Sequence, residues 1–169
     1  MRIRPYIESK DYEQMEKWIC NEKMHALWCA NLIPYPLSKE KMHSFLEKCA
    51  IDWTDSAYVA TEDNGEIVGF FCYSINVDDN TGFLKFIIVD SNKRGMGRGK
   101  EMLQLALKYA FDITDVELVQ LNVFEENTIA KHCYEKLGFV EEDISKNVFP
   151  YKDESWSRCH MTMKRSIFP

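Results

Sequence analysis

IIVDSNKRGMGRGKEMLQLALKYA, residues 87–110, runs from an apolar segment through a glycine-rich basic turn into a second apolar pattern. Just upstream and into it, Leu84, Phe86 and Ile88 alternate with Phe83, Lys85, Ile87 and Val89. That two-residue period, carried by β-branched and aromatic side chains, predicts a strand. Met102, Leu103, Ala106, Tyr109 and Ala110 then recur at helical spacing. Between the two lies Arg94-Gly95-Met96-Gly97-Arg98-Gly99-Lys100. Glycines at alternate positions lose chain entropy on folding and pack nothing. What they offer is bare backbone N–H groups, just where a helix begins with unpaired donors and the positive end of its dipole. Such a place binds anions, and phosphate is the common one. Arg94, Arg98 and Lys100 add positive charge, part of which can simply face solvent.

Two familiar phosphate patterns fail here. The Walker pattern needs glycine where Arg94 stands and Ser or Thr where Glu101 stands. The dinucleotide pattern, begun at Gly95, meets Lys100 in place of its third glycine, and it lies after several strands instead of opening a βαβ unit. What fits is Arg-x-x-Gly-x-Gly, as Arg94, Gly97 and Gly99. This resembles the pyrophosphate loop of the GCN5-related N-acetyltransferases (GNAT), which bind acetyl-CoA.

The remaining chain supplies the context. At 169 residues it is expected to form a single domain, 1–169, long enough to bury a core. Hydrophobic residues make up 46% and charged residues 28%, ordinary for a globular protein. A net charge of −6 argues against nucleic acid as a partner and makes the Arg94–Lys100 turn a basic island. An acidic surface suits a cationic amine. The first residues, MRIRPYIESKDYEQ, lack the apolar core of a signal peptide, and no run reaches membrane-spanning length. The six cysteines are widely spaced, several inside apolar patterns, and read as buried hydrophobes in a reducing cytoplasm. No metal-ligand spacing occurs among them or the four histidines.

In order, residues 2–4 read as a short strand. A helix is expected over 11–20, capped by Asp11, with Tyr12, Met15 and Ile19 on its apolar face. Residues 21–37 are irregular in pattern, and Ser38 caps a second helix to about Ala50. Strands over 58–61 and 67–75 flank the turn Asp63-Asn64-Gly65, with Gly69 as a bulge or close-approach point. A second turn over 78–82 leads into the strand before the glycine loop. After the long helix, residues 117–124 alternate as a strand, which a crossover helix places parallel to its predecessor. Asn127 caps a helix with Ile129, Ala130, Cys133, Tyr134 and Leu137 on one side, stopped by Gly138. Another strand starts at Phe139, residues 143–155 read as a polar-aromatic loop, and 156–164 as a final strand.

That last helix carries a second signature. Asn127-x-x-Ala130-x-x-x-Tyr134-x-Lys136-x-Gly138-Phe139 resembles the second motif of the same acetyltransferases. Two linked motifs, each in its strand, turn and helix context, cover residues 57–140. The resemblance implies an α/β fold: a mixed, mostly antiparallel sheet with helices on both faces, and a cofactor cleft between two parallel strands. It implies acetyl-CoA as cofactor, CoA as product, and transfer to a primary amine through a ternary complex. By position, backbone groups of Ile87, Ile88 and Val89 would hold the pantetheine arm. Arg94, Gly95, Met96, Gly97, Arg98, Gly99 and Lys100 would hold the pyrophosphate, with Asn127 and Tyr134 also at the cofactor. The resemblance makes Tyr134 the general acid for the departing thiolate; the alternative is a core tyrosine on an amphipathic helix.

The acceptor pocket is expected from residues 21–37 and 143–155, with Trp28 and Tyr35 on one side and Phe149 and Tyr151 on the other. The alternative is a hydrophobic lid over the core. The strand before the loop holds no Asp or Glu, so a carboxylate base there is missing; Asp90, Glu125, His160 and His25 remain. The acceptor itself could be a protein N-terminus, a lysine, a polyamine or an aminoglycoside. A non-catalytic acyl-CoA sensor is the rival function. Dimers are common in the family, but no interface is legible.

Overall fold

The computed structural model describes residues 1–168. Its elements are β1 (Arg2–Pro5), α1 (Glu8–Glu16), α2 (Glu22–Cys29), α3 (Lys39–Trp53), β2 (Ser56–Thr61), β3 (Ile67–Asn76), β4 (Thr81–Val89), α4 (Arg98–Lys108), β5 (Leu118–Phe124), α5 (Thr128–Leu137), β6 (Val140–Tyr151) and β7 (Glu154–Lys164). The strands form one sheet in the order β1-β2-β3-β4-β5-β7-β6. Only β4 and β5 run parallel; every other pair is antiparallel. The mixed, mostly antiparallel α/β class read from the sequence is the class observed.

Helices cover both faces, and each face has its own core. On one side Met102, Leu103 and Leu107 of α4 and Tyr134 of α5 pack on Phe71, Leu84, Val119, Leu121 and Met161. On the other, Tyr12 and Met15 of α1, Trp28 of α2 and Met42 of α3 pack on Val59, Phe70, Cys72 and Ile88. Gly69 is the close-approach point expected of it: a Cβ there would sit 2.4 Å from Met102 Sδ. A register shift between Ala60 and Thr61 places a bulge beside it.

The parallel pair is short. β4 and β5 are in register from Thr81–Leu118 to Leu84–Leu121, and there the pairing stops although both strands continue. The cause sits in β4. Phe86 adopts φ +51°, a left-handed backbone that bulky residues avoid. The register with β3 also shifts between Phe70–Ile88 and Cys72–Lys85. An extra residue is thereby looped into β4, which bends it away from β5.

Four expectations need correction. Residues 21–37 are not irregular throughout: Asn21 caps α2 by accepting the Met24 N–H at 2.9 Å. Residues 143–155 are not a loop but most of the β6–β7 hairpin. β6 is an edge strand, largely exposed on both faces and interrupted by two register shifts, so its sequence shows no alternation. Ile129, expected on the apolar side of its helix, is 78% exposed.

The first helix also starts earlier than expected, at Glu8, and Asp11 lies inside it. From there its carboxylate accepts the Ile7 N–H at 2.8 Å and a two-pronged pair from Arg4, both prongs 2.7 Å. Burial alone would raise the Asp11 carboxyl; the bonds from Arg4 and Ile7 outweigh it and hold it below the ordinary carboxylate range. A depressed carboxyl stabilises the fold above its unfolded-state value and loses that contribution as pH falls through its lower folded value. Asp11→Ala should therefore lower unfolding free energy by about 2 kcal/mol at neutral pH. Urea titrations of both proteins should show the gap closing in acid, below the ordinary carboxylate range.

Candidate active site

Where β4 leaves β5, backbone groups lose their neighbours. Phe86 and Ile87 have no register partner on β3 or β5 among the described residues. The Asp90 N–H donates to Val68 C=O at 2.9 Å, which turns the even-numbered backbone groups toward β3. By strand alternation Ile88 also faces β3, while Ile87 and Val89 face the gap. The Ile88 side chain is buried on the α1–α3 side.

The glycine loop follows at the end of this strand. Asp90, buried, caps the short turn over Ser91–Lys93 by accepting the Asn92 N–H at 2.9 Å. Gly95 and Gly97 have φ of +75° and +79°, and a Cβ on either would meet nothing within 4 Å. Backbone conformation, not lack of room, is what requires glycine there. Gly97 caps α4, and the first helical bond runs from the Glu101 N–H to Gly97 C=O at 3.0 Å. The N–H groups of Arg98, Gly99 and Lys100 therefore have no carbonyl one turn earlier within the helix. Gly99 packs closely: its Cβ would lie 3.4 Å from Val89 and 4.0 Å from Cys133 Sγ. That contact sets α5 beside the loop.

The basic residues divide by role. Arg98 is bound to Glu62 at 2.8 Å and to Glu101 at 3.0 Å, so its charge is already balanced. Arg94 turns back to Val89 C=O at 3.3 Å and to Met24 Sδ at 2.9 Å. Lys100 is exposed and has no ion pair among the described residues. Lys100 is thus the basic side chain of this loop left without an ion-pair partner among the described residues, beside the N–H groups of residues 98–100.

On α5, Asn127 caps the helix by accepting the Ala130 N–H at 3.4 Å. Tyr134 faces inward, 5% exposed, its ring 5.9 Å from Phe139. Burial raises its hydroxyl well above the ordinary tyrosine value, with Cys133 adding slightly. It is a protonated hydroxyl at neutral pH, with no hydrogen-bond partner among the described residues.

The two segments expected to shape an acceptor pocket do meet. Lys23 of α2 pairs with Glu154 of β7 at 3.2 Å, and Lys152 pairs with Glu22 at 2.9 Å. Beneath those pairs Ala26, Phe124, Tyr151 and Trp156 form a third core, with Phe149 against it. Tyr151 stacks on Trp156 at 4.4 Å. Tyr35 is 47% exposed and meets His25 edge-on at 5.3 Å. Trp28 is buried, and its indole N–H donates to Phe86 C=O at 2.8 Å. Trp156 and Phe124 were not singled out from the sequence, because each lies inside a strand pattern that already explains an aromatic.

The available bases are occupied or enclosed. His25 is fully buried, and burial lowers its pKa, leaving it neutral. Glu125 pairs with Lys146 at 3.2 Å, and His160 lies 3.2 Å from Asn122 Oδ1. Five of the six thiols are shielded, and Cys20 alone is exposed. Burial raises Cys29, Cys72 and Cys133, takes Cys49 to about 11 and, with Glu141 adding, takes Cys159 to about 12. A thiol so raised is protonated, and the thiolate is the reactive form.

Comparison with known proteins identifies the family and the fold. A profile of the acetyltransferase (GNAT) family matches residues 13–139. An N-terminal acetyltransferase complex ARD1 subunit homolog of Dictyostelium discoideum is 25% identical over 109 residues, which are 63% of this chain and 54% of that protein. Spermidine N(1)-acetyltransferase of Vibrio cholerae is 39% identical over 56 residues, 33% of this chain and 32% of that one. The matches thus span about half of the first relative and a third of the second. The crystal structure of a Vibrio cholerae spermidine N-acetyltransferase with CoA and spermine superposes with a TM-score of 0.82, covering 97% of this chain and 95% of that one at 23% identity. At that identity the likeness is one of fold. No helix of the described residues is long and apolar enough to cross a membrane.

Proposed function

Since the chain belongs to the acetyltransferase (GNAT) family, we propose that it moves an acetyl group from acetyl-CoA directly to a primary amine, within a ternary complex. The observation that carries this reading is the gap where β4 leaves β5, opening onto the glycine loop at the head of α4. A pyrophosphate fits that loop: two glycines hold the left-handed turn, open space surrounds them, and three helix-end N–H groups converge there. The N–H groups of residues 98–100 and the Lys100 ammonium bind it.

Acetyl-CoA, when bound, supplies a thioester whose carbonyl carbon accepts the amine and whose sulfur departs. The backbone groups of Ile87 and Val89 hold the pantetheine arm as an added strand would be held, and Asn127 adds a cofactor contact at the head of α5. The Ile87 N–H, beside the bulge, is aimed at the thioester oxygen, where negative charge grows. The Tyr134 hydroxyl gives its proton to the leaving sulfur, while the proton shed by the attacking amine passes to water, which in turn reprotonates Tyr134. Its raised pKa keeps the hydroxyl protonated at neutral pH. The acceptor enters between α2 and the β6–β7 hairpin, beside Trp28, Tyr35, Phe149 and Tyr151. Polyamines and peptide N-termini are the acceptor classes to test first, given the names of the two relatives.

Direct transfer makes a sharp prediction. Incubation with acetyl-CoA and no amine should leave the intact protein's mass unchanged on a mass spectrometer. Initial rates at varied acetyl-CoA and amine should give intersecting reciprocal plots. A stoichiometric acetyl adduct on a cysteine, with parallel plots, would replace direct transfer by a covalent relay.

A further inference from the structure

The bulge in β4 is strained, and two side chains from other elements hold it. Phe86 keeps φ +51° with a full aromatic side chain, a conformation that persists only where surroundings impose it. Two contacts do so. The Phe86 ring meets Phe45 of α3 edge-on at 5.0 Å. Its carbonyl, which has no strand register partner, accepts the Trp28 indole N–H at 2.8 Å. The same trans peptide carries the Ile87 N–H on its opposite side. Whatever fixes the carbonyl therefore fixes the direction of that N–H.

We infer that Trp28 is a positioning residue for acyl transfer: by clamping the Phe86 carbonyl it aims the Ile87 N–H at the thioester oxygen. The inference rests on the acetyl-transfer reading above. It also assigns α2 a part in the chemistry. That helix is tied to the β6–β7 hairpin through Lys23–Glu154 and Glu22–Lys152, so the element facing the acceptor also sets the donor that faces the acetyl group.

Two variants separate the N–H from the ring. Trp28→Phe keeps an aromatic and removes the donor. Trp28→His loses bulk but places a ring N–H at the same distance from Cβ as the indole N–H. We expect Trp28→Phe to lower kcat about tenfold, with KM for acetyl-CoA and affinity for CoA within about twofold, and Trp28→His to recover most of the loss. A merely structural role would harm the smaller histidine at least as much as phenylalanine, and that order would overturn the proposal.

A second readout needs no turnover. With isotope-labelled protein, the Ile87 amide resonance should move further on adding acetyl-CoA than on adding CoA, and Trp28→Phe should abolish the difference. Absence of an acetyl-specific shift in the wild type, or its survival in Trp28→Phe, would overturn the proposal. A wild type that shows the shift yet acetylates no amine would sink the transfer reading and support the clamp.

Discussion

Tyr134→Phe should lower kcat about 100-fold while leaving KM for acetyl-CoA nearly unchanged. The substitution removes one oxygen from a ring that is otherwise held by Phe139 and the core around it, so folding should survive. What disappears is the proton available to the leaving sulfur. A thiolate is a tolerable leaving group even unprotonated, which is why the expected loss sits at the lower end for a general acid. The pH profile adds a second test. Burial raises the Tyr134 hydroxyl, so the acid form persists above the ordinary tyrosine value near 10. Wild-type kcat should therefore show no alkaline fall attributable to tyrosine below that point. Equal kcat in the two proteins would return Tyr134 to a packing role.

Gly97→Val should raise KM for acetyl-CoA about 100-fold. Valine is poorly suited to φ +79°, so the turn must open or the start of α4 must shift. Either change scatters the three N–H groups that converge on the pyrophosphate. Losing two charge-assisted hydrogen bonds amounts to about 3 kcal/mol, hence the factor. Gly65→Val is the matched control. Its φ is +85°, its surroundings are equally open, and it lies in the β2–β3 turn. Both variants should lose similar stability in urea, and only Gly97→Val should lose cofactor affinity. Equal KM values would mean that the loop does not bind the cofactor.

The glycine loop and the α5 motif are legible as local structure in the sequence because each combines local rules. The glycine loop joins a strand period, a helix period and three glycines in one stretch, and Asn127 to Gly138 joins a cap, a stripe and a stop. The side formed by α2 and the β6–β7 hairpin was far less legible. Trp28 suggested a pocket, yet its indole N–H reaches a carbonyl 58 residues further on, a pairing that no local pattern contains. α2 was hidden because Pro34, Pro36 and the aromatics Trp28 and Tyr35 crowd its stretch, although Asn21 and the spacing of His25, Trp28 and Cys29 were a helix signal. β6 was hidden because an edge strand exposed on both faces has no reason to alternate. Arg98 reads in the sequence as a phosphate ligand, and the fold pairs it with Glu62. Partners distant in sequence decide which of several like-charged side chains stays free. The bulge at Phe86 had no signal either: nothing in its neighbours announces a left-handed phenylalanine.

The most direct measurement is paired detection of free CoA thiol and N-acetylated product, with acetyl-CoA and a panel of polyamines, small amines and peptides bearing free N-termini. The account predicts amine-dependent thiol release matched mole for mole by acetylated amine, for at least one class in the panel. Tight binding of acetyl-CoA with neither thiol nor product formed from any of them would contradict it, and would leave a domain that holds the cofactor without turning it over.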